Sequence, residues 1–250
     1  KTTPYLRLIL QLIASIIVVI FGIKVDFIPH WGFVEIPLEV IITILWIVGI
    51  TNAFNFIDGI DGLATGLAII ISSSLFLITW ITYQPKLAPL TLSIIGGCIG
   101  FLTYNFKPAK IFLGDCGSTL LGFLLASFTI LGTYQHSIPI VSIAIPIFFL
   151  GVPIFDLIYT TISRIKNNLI HSVKEWIEFT GKDHFHHRLI DLGFSEVQTI
   201  FFIYLITLVL SLSACVAKES SATSAILLLI QGALIFVIIA SIMWAARKKY

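Results

Sequence analysis

The run "VIITILWIVGI" (residues 40–50) passes directly into "TNAFNFIDGIDG" (residues 51–62). The first segment carries no charge. The second places Asn52, Asn55, Asp58 and Asp61 at three-residue intervals, with glycines at 59 and 62. An uncharged apolar run that continues for ~20 residues reads as a helix long enough to cross the ~30 Å hydrocarbon layer. A polar cluster at its end then marks a place where a span meets water. In an unbroken α-helix, steps of about 300° would spread the four polar groups over half the circumference. A 3₁₀-like turn, or a break at Gly59, would bring the last of them onto one edge.

The rest of the chain extends this pattern. Of 250 residues, 58% are hydrophobic and 11% charged, with a mean hydropathy of +1.04, against about 25% charged in a soluble domain. A transmembrane β-barrel would show ~10-residue segments of alternating polarity, and the sequence has none. The fold class is therefore all-α, a polytopic transmembrane helix bundle. Eight apolar runs are predicted as spans: about 6–22, 38–54, 64–82, 88–105, 118–134, 138–163, 197–217 and 223–245. Residues 1–250 read as a single integral-membrane domain, with 164–196 as its polar insert. The three cysteines, odd in number and scattered, imply no disulfide framework.

Eight crossings would put the chain start and the regions near 55–63, 106–117, 164–196 and 246–250 on one side. That side holds twelve of the fifteen Lys and Arg residues; Lys24, Lys86 and Lys218 fall on the other. The positive-inside rule makes the first side cytoplasmic. Asp58, Asp61, Asp115, Asp183 and Asp191 lie on it too, so loops distant in sequence can converge on one face.

Three constellations could carry chemistry there. Two aspartates at a helix C-terminus oppose the dipole and call for a counter-charge, such as a divalent cation; solvation at a helix end is the plainer alternative. In "NFKPAKIFLGDCGSTLLGF" (105–123), Asp115 opens an apolar helix with Gly117 and Ser118. Free N–H groups at such a start attract phosphate, and a neighbouring carboxylate suits Mg²⁺. An ordinary N-cap explains the same residues, and Phe112 could stack on a base or anchor the loop. In "GKDHFHHRLIDLGFS" (181–195), His184, His186 and His187 stand with Lys182 and Arg188. Their spacing is not that of a helical zinc site, and a cationic, donor-rich grip on a diphosphate is the favoured reading, with a solvated basic loop as the plainer alternative. Asp156, inside an apolar span, reads as a structural or supporting residue within reach of Arg164 through intervening polar groups. Lys24, Asp26 and His30 read as surface groups.

In their order, "NAFNFIDGIDGLATG" (52–66), "NFKPAKIFLGDCGS" (105–118) and "DHFHHRLIDLGFS" (183–195) make the chain similar to the polyprenyl-phosphate N-acetylhexosamine-1-phosphate transferases of glycosyltransferase 4 type. "HFHHRL" resembles the branch that transfers GlcNAc-1-phosphate to undecaprenyl phosphate. The phospho-MurNAc-pentapeptide branch has three adjacent histidines followed by an aromatic. The resemblance implies a bacterial plasma-membrane enzyme that starts cell-envelope glycan synthesis (lipopolysaccharide or teichoic acid) and releases UMP. It implies Mg²⁺ as cofactor, with Mn²⁺ as a substitute, and Asp115 as the metal ligand. Asp58 and Asp61 are implied as metal contact, general base or substrate hydrogen-bonding groups. His186 and His187 are implied as catalytic, with His184 and Arg188 gripping the diphosphate or sugar. Asn52 is a donor for a polar ligand; Asn55 and Asn105 hold the nucleotide and Phe112 stacks on uracil. The implied partners are a UDP-sugar, a polyprenyl phosphate and the membrane, with no nucleic acid and with room for a homodimer. Family members also carry an Asp-Asp motif ahead of the span at 6–22, and no adjacent Asp-Asp occurs here. That implies about two or three further spans before Lys1, for roughly ten or eleven in all, and an inactive product from this stretch alone. A transporter or non-catalytic scaffold is the rival of another class. Transporters concentrate ionisable groups near the bilayer midplane within internal repeats, which this sequence lacks.

Overall fold

The computed structural model describes residues 3–28, 32–132, 138–179 and 181–247. Among them the regular elements are helices, with no strand. In chain order they are α1 (Pro4–Ile20), α2 (Glu35–Ile57), α3 (Leu63–Ile81), α4 (Leu87–Asn105), α5 (Gly114–Leu131), α6 (Pro139–Phe149), α7 (Gly151–Lys166), α8 (Val173–Glu178), α9 (Phe185–Asp191), α10 (Glu196–Lys218) and α11 (Ala222–Arg247). A 3₁₀ turn at Gly32–Val34 leads into α2.

Local sequence signals set several of these boundaries. The Thr3 hydroxyl accepts from the Leu6 amide and Pro4 occupies the first turn of α1, where its missing N–H has no partner to lose. Ser195 and Gln198 form a reciprocal capping box at the start of α10. Gly62, with φ +79°, takes the left-handed conformation that opens α3, and its carbonyl accepts from the Tyr204 hydroxyl of α10 at 2.6 Å.

The core is formed by α2, α3, α5, α6 and α10, around Phe54, Leu63, Leu67, Ile71, Leu125, Ile145 and Ile200, all fully enclosed. α2 lies directly on α5, α3 is flanked by α4 and α10, and α6 packs on α10. The α2–α5 approach is close because Gly122 has no side chain. A Cβ there would stand 2.9 Å from the Thr51 Cα and 2.8 Å from the Phe54 Cβ. α1 and α11 flank this core and leave rows of Ile and Leu on the outside, as lipid-facing helices do.

Among the described residues six helices are long and apolar enough to cross a membrane, and α1, at 17 residues, is shorter than those six. The sixth predicted span, 138–163, is corrected. It is the pair α6 and α7, bent by 78° at Leu150. Pro153 explains the break. Its ring would clash with the carbonyl four residues back and it donates no hydrogen bond, so it fits the first turn of a new helix rather than the interior of a continuing one. α6 alone, with 11 residues, is too short to span.

The surface reading of Lys24 is also corrected. Its ammonium pairs with the buried carboxylate of Glu39 on α2, which needs that partner to be buried at all. Asp26 is exposed, while His30 lies outside the described residues. All three cysteines are free.

Candidate active site at one end of the bundle

α2 stays α-helical to Ile57 and breaks at Asp58, one residue before the predicted Gly59. The resulting turn, 58–62, carries Asp58 and Asp61 clear of the helix. Beside it lie the start of α5 with Asp115, the first turns of α1, and α9 with its histidines. The sequence-distant motifs thus meet at one end of the bundle.

Asn55 is the joint between them. Its Nδ2 donates to Ser118 Oγ at 2.7 Å and lies 3.4 Å from Asp115 Oδ1, while its Oδ1 accepts from Arg7 Nη1 at 3.3 Å. The same Arg7 nitrogen is 3.3 Å from Asp115 Oδ2. From the sequence, Arg7 counts only as one of the basic charges on the side predicted as cytoplasmic. The available signal was a lone arginine one helical turn before Gln11 in an otherwise apolar run.

The Asp115 side chain is 79% exposed. Asp58 is half-buried, and burial first, then the charges of Asp115 and Asp61, push its carboxyl from an ordinary 3.8 up to about 6. Asp61 Oδ2 accepts from the Ala109 amide at 3.1 Å and so fastens the 106–113 loop, which Lys107 also ties to Glu196 of α10. Phe112, in that loop, is 75% exposed and available for stacking.

Among the described residues no three His, Cys, Asp or Glu side chains gather to hold a metal by themselves. Mg²⁺ does not require such a cage: it is usually held by one or two carboxylates, with substrate oxygens and water completing the shell. Asp115, open and adjacent to the field that raises Asp58, fits that pattern.

The geometry revises three expectations of direct ligand contact, because the polar atoms concerned are already engaged. Asn52 Nδ2 donates to Gln11 Oε1 at 2.7 Å and joins α2 to α1. Asn105 is buried: its Oδ1 accepts from Thr65 and its Nδ2 donates to the Ile111 carbonyl, both at 3.0 Å. It therefore shapes the loop that carries Phe112. His184 is held by Asp156 at 2.8 Å and Arg164 at 3.3 Å, with Phe56 stacked on its ring at 5.0 Å.

His186 is different. It is 1% exposed, yet among the described residues neither ring nitrogen has a partner. Its Nε2 faces Gly59, where a Cβ would stand only 2.1 Å away. Burial, and then the His187 charge, push its imidazole down to about 3. His187, with its ring 4.2 Å from that of His186, is also lowered, by burial and then His184 and Lys182. Both shifts disfavour the cationic form expected of this cluster, because three rings and nearby cations crowd a poorly solvated loop. Arg188, whose Nε lacks a partner, and Arg7 supply the fixed positive charge.

Residues 1–133 match the family described as glycosyl transferase family 4. The chain is 38% identical over 252 residues to the Bacillus subtilis protein named "Probable undecaprenyl-phosphate N-acetylglucosaminyl 1-phosphate transferase", covering 98% of this chain and 67% of that protein. It is 46% identical over 109 residues to the phospho-N-acetylmuramoyl-pentapeptide-transferase of Enterococcus faecalis, covering 42% of this chain and 34% of that one. With the protein of the same name from Lactobacillus gasseri it shares 42% identity over 133 residues, 48% of this chain and 41% of the other. The chain thus spans about two thirds of the Bacillus protein and less of the others.

Proposed function

The chain belongs to glycosyl transferase family 4, and from that premise we propose that it transfers GlcNAc-1-phosphate from UDP-GlcNAc to undecaprenyl phosphate and releases UMP. The site would face the cytoplasm of a bacterial cell, in line with twelve of fifteen basic residues on that side. The observation that carries this reading is the meeting of Asp58, Asp61, Asp115, Arg7 and the α9 histidines at one end of the bundle, in a chain alignable along 98% of its length with the Bacillus relative.

In this reaction a lipid phosphate oxygen attacks the β-phosphorus of the nucleotide sugar, the bond to the bridging oxygen breaks, and UMP leaves with that oxygen. Two anions must approach each other, so charge neutralisation is the main demand on the protein. Mg²⁺, held at Asp115 with Mn²⁺ as a substitute, supplies part of that neutralisation when bound. Arg7 and Arg188 supply more as fixed cations. The first turn of α5 has no side-chain cap, which leaves its N–H groups free for phosphate oxygens. Asp58, poised near neutrality, suits a proton acceptor for the lipid phosphate. His186 offers one neutral donor and one acceptor beside that turn, and Phe112 offers a face for uracil.

The test is UMP release by the purified full-length protein with undecaprenyl phosphate and Mg²⁺, comparing UDP-GlcNAc, UDP-GalNAc and UDP-MurNAc-pentapeptide. Release from UDP-GlcNAc alone is expected. Release from the pentapeptide donor would move the chain to the other branch. Substrate flux without UMP would favour a transporter.

The Gly59–His186 contact adds a sharper expectation. In Gly59→Ala the new methyl must displace a buried ring, so turnover should fall about 100-fold, the scale of a 1 Å misplacement in a reacting site. Overpacking against a buried ring costs about 1–3 kcal/mol, so the melting temperature should also fall by several degrees, and turnover is to be compared below the midpoint of both proteins. Full turnover in this variant would remove His186 from the site.

A further inference from the structure

A buried ionic network stands behind the site and is not explained by substrate contact. Asp156, on α7, is 0% exposed. A carboxylate in such a position is tolerated only when its lone pairs are occupied. Its Oδ2 lies 2.8 Å from His184 Nδ1, and its Oδ1 accepts from the Phe185 amide and, at 3.4 Å, from the Thr160 hydroxyl. Two of these three partners are the residues that open α9, which follows α7 by a long insert. Arg164, two turns along α7 and 3% exposed, closes the other side. Its Nη2 is 3.3 Å from His184 Nε2, and its guanidinium binds Asp183 in a two-pronged pair at 2.8 and 2.7 Å. The Phe179 ring lies under that guanidinium at 4.5 Å.

We propose that Asp156 and Arg164 are positioning residues: they fix His184 as an Nδ1–H imidazole and pin the first turn of α9, and so set where His186 and His187 face the 58–62 turn. The tautomer follows from which groups can donate. Arg164 has only hydrogens to offer, so the Nε2 that faces it carries the lone pair. The carboxylate of Asp156 only accepts, so Nδ1 carries the proton. With both nitrogens engaged and Phe56 on its face, His184 has no atom left for a substrate. It transmits the position of α7 to the ring of His186, two residues on, whose plane is within 8° of its own. Because α9 has only seven residues and no side-chain cap of its own, the Asp156 bond to the Phe185 amide is what fixes its start.

The test is Asp156→Asn in the full-length protein. The amide keeps the shape of the carboxylate but replaces one acceptor with a donor. An acceptor kept for the Phe185 amide turns the new N–H₂ toward His184 Nδ1. The ring must then move its proton to Nε2, where it meets Arg164. With ¹⁵N-histidine labelling, wild type is expected to show one neutral Nδ1–H imidazole that disappears in His184→Gln. In Asp156→Asn that signal should shift toward the Nε2–H form. The activity arm rests on the proposed function: kcat should fall about 100-fold, with KM for the nucleotide sugar changed less than about 3-fold, because neither residue touches it.

If Asp156→Asn does not fold, Arg164→Lys serves. It keeps the charge but loses the two-pronged Asp183 pair and the contact with Nε2, so the Nδ1–H signal should broaden or shift while the protein stays folded. An absent Nδ1–H signal in wild type would overturn the proposal. So would an unchanged spectrum and kcat in both variants, or a loss confined to KM. A preparation silent with every donor would count against the proposed function, while the tautomer signal would still decide the network.

Discussion

Asp115→Asn is expected to lower UMP release about 10³-fold, the scale on which loss of an electrostatic group stabilising transition-state charge is felt, with no loss of fold. The substitution keeps size and one acceptor oxygen, so the Asn55 Nδ2 contact at 3.4 Å can persist. What changes is charge. The carboxylate that would hold Mg²⁺ is gone, and the new amide N–H₂ can be turned toward the Arg7 guanidinium, which stands 3.3 Å from Oδ2. Asp58 loses one of the two anions that raise its carboxyl, so its proton affinity should fall, which weakens it further as an acceptor near neutral pH. Because the side chain is 79% exposed, the melting temperature should move little. Turnover within tenfold of wild type at saturating Mg²⁺ would sink the metal assignment. An unchanged Mg²⁺ requirement with lower turnover would reassign Asp115 to substrate contact.

Hydropathy made the helices legible because a span must be apolar along its whole length, and each predicted run has a helix on it. It could not show the bend at Leu150, because a broken apolar helix buried among others is as hydrophobic as a straight one. The relevant signal was positional: Pro146, Gly151 and Pro153 within eight residues. The site divides in the same way. Asp58, Asp61 and Asp115 could be grouped from sequence, since loops on one membrane side have few places to go. The three histidines could not be ranked, because adjacent residues of one type look alike until burial separates them. His184 has partners on both nitrogens, while His186 has none. Asn52 and Asn55 share one helix face, but only the second reaches past α1 to α5. Gln11 sits opposite the first, and no feature of the sequence pairs them.

The dependence of the site on helix spacing can be tested far from any charged group. Asn55 lies on α2, while Asp115 and Ser118 lie on α5, so the distance between these helices sets whether the 2.7 Å Asn55–Ser118 bond forms. That distance is fixed by Gly122, one turn beyond Ser118, where α5 meets the backbone of Thr51 and the Cβ of Phe54. Backbone cannot rotate away as a side-chain tip can. Gly122→Leu is therefore expected to push the helices apart and to destabilise the protein by about 3 kcal/mol, the upper range for overpacking. That corresponds to a melting temperature lower by about 6–12 °C for a chain of this size. UMP release should fall in the molecules that remain folded, since Asn55 can no longer bridge Arg7 and Ser118. Gly122→Ala should show a smaller version of both effects. Gly96→Leu on α4 is the control: it adds the same side chain where nothing lies within 4 Å of the new Cβ, and should melt at or above wild type. Thermal melts in one detergent, paired with turnover at a temperature below every midpoint, separate the two effects. If Gly122→Leu melts with Gly96→Leu, the α2–α5 contact is not what holds the two halves of the site in register.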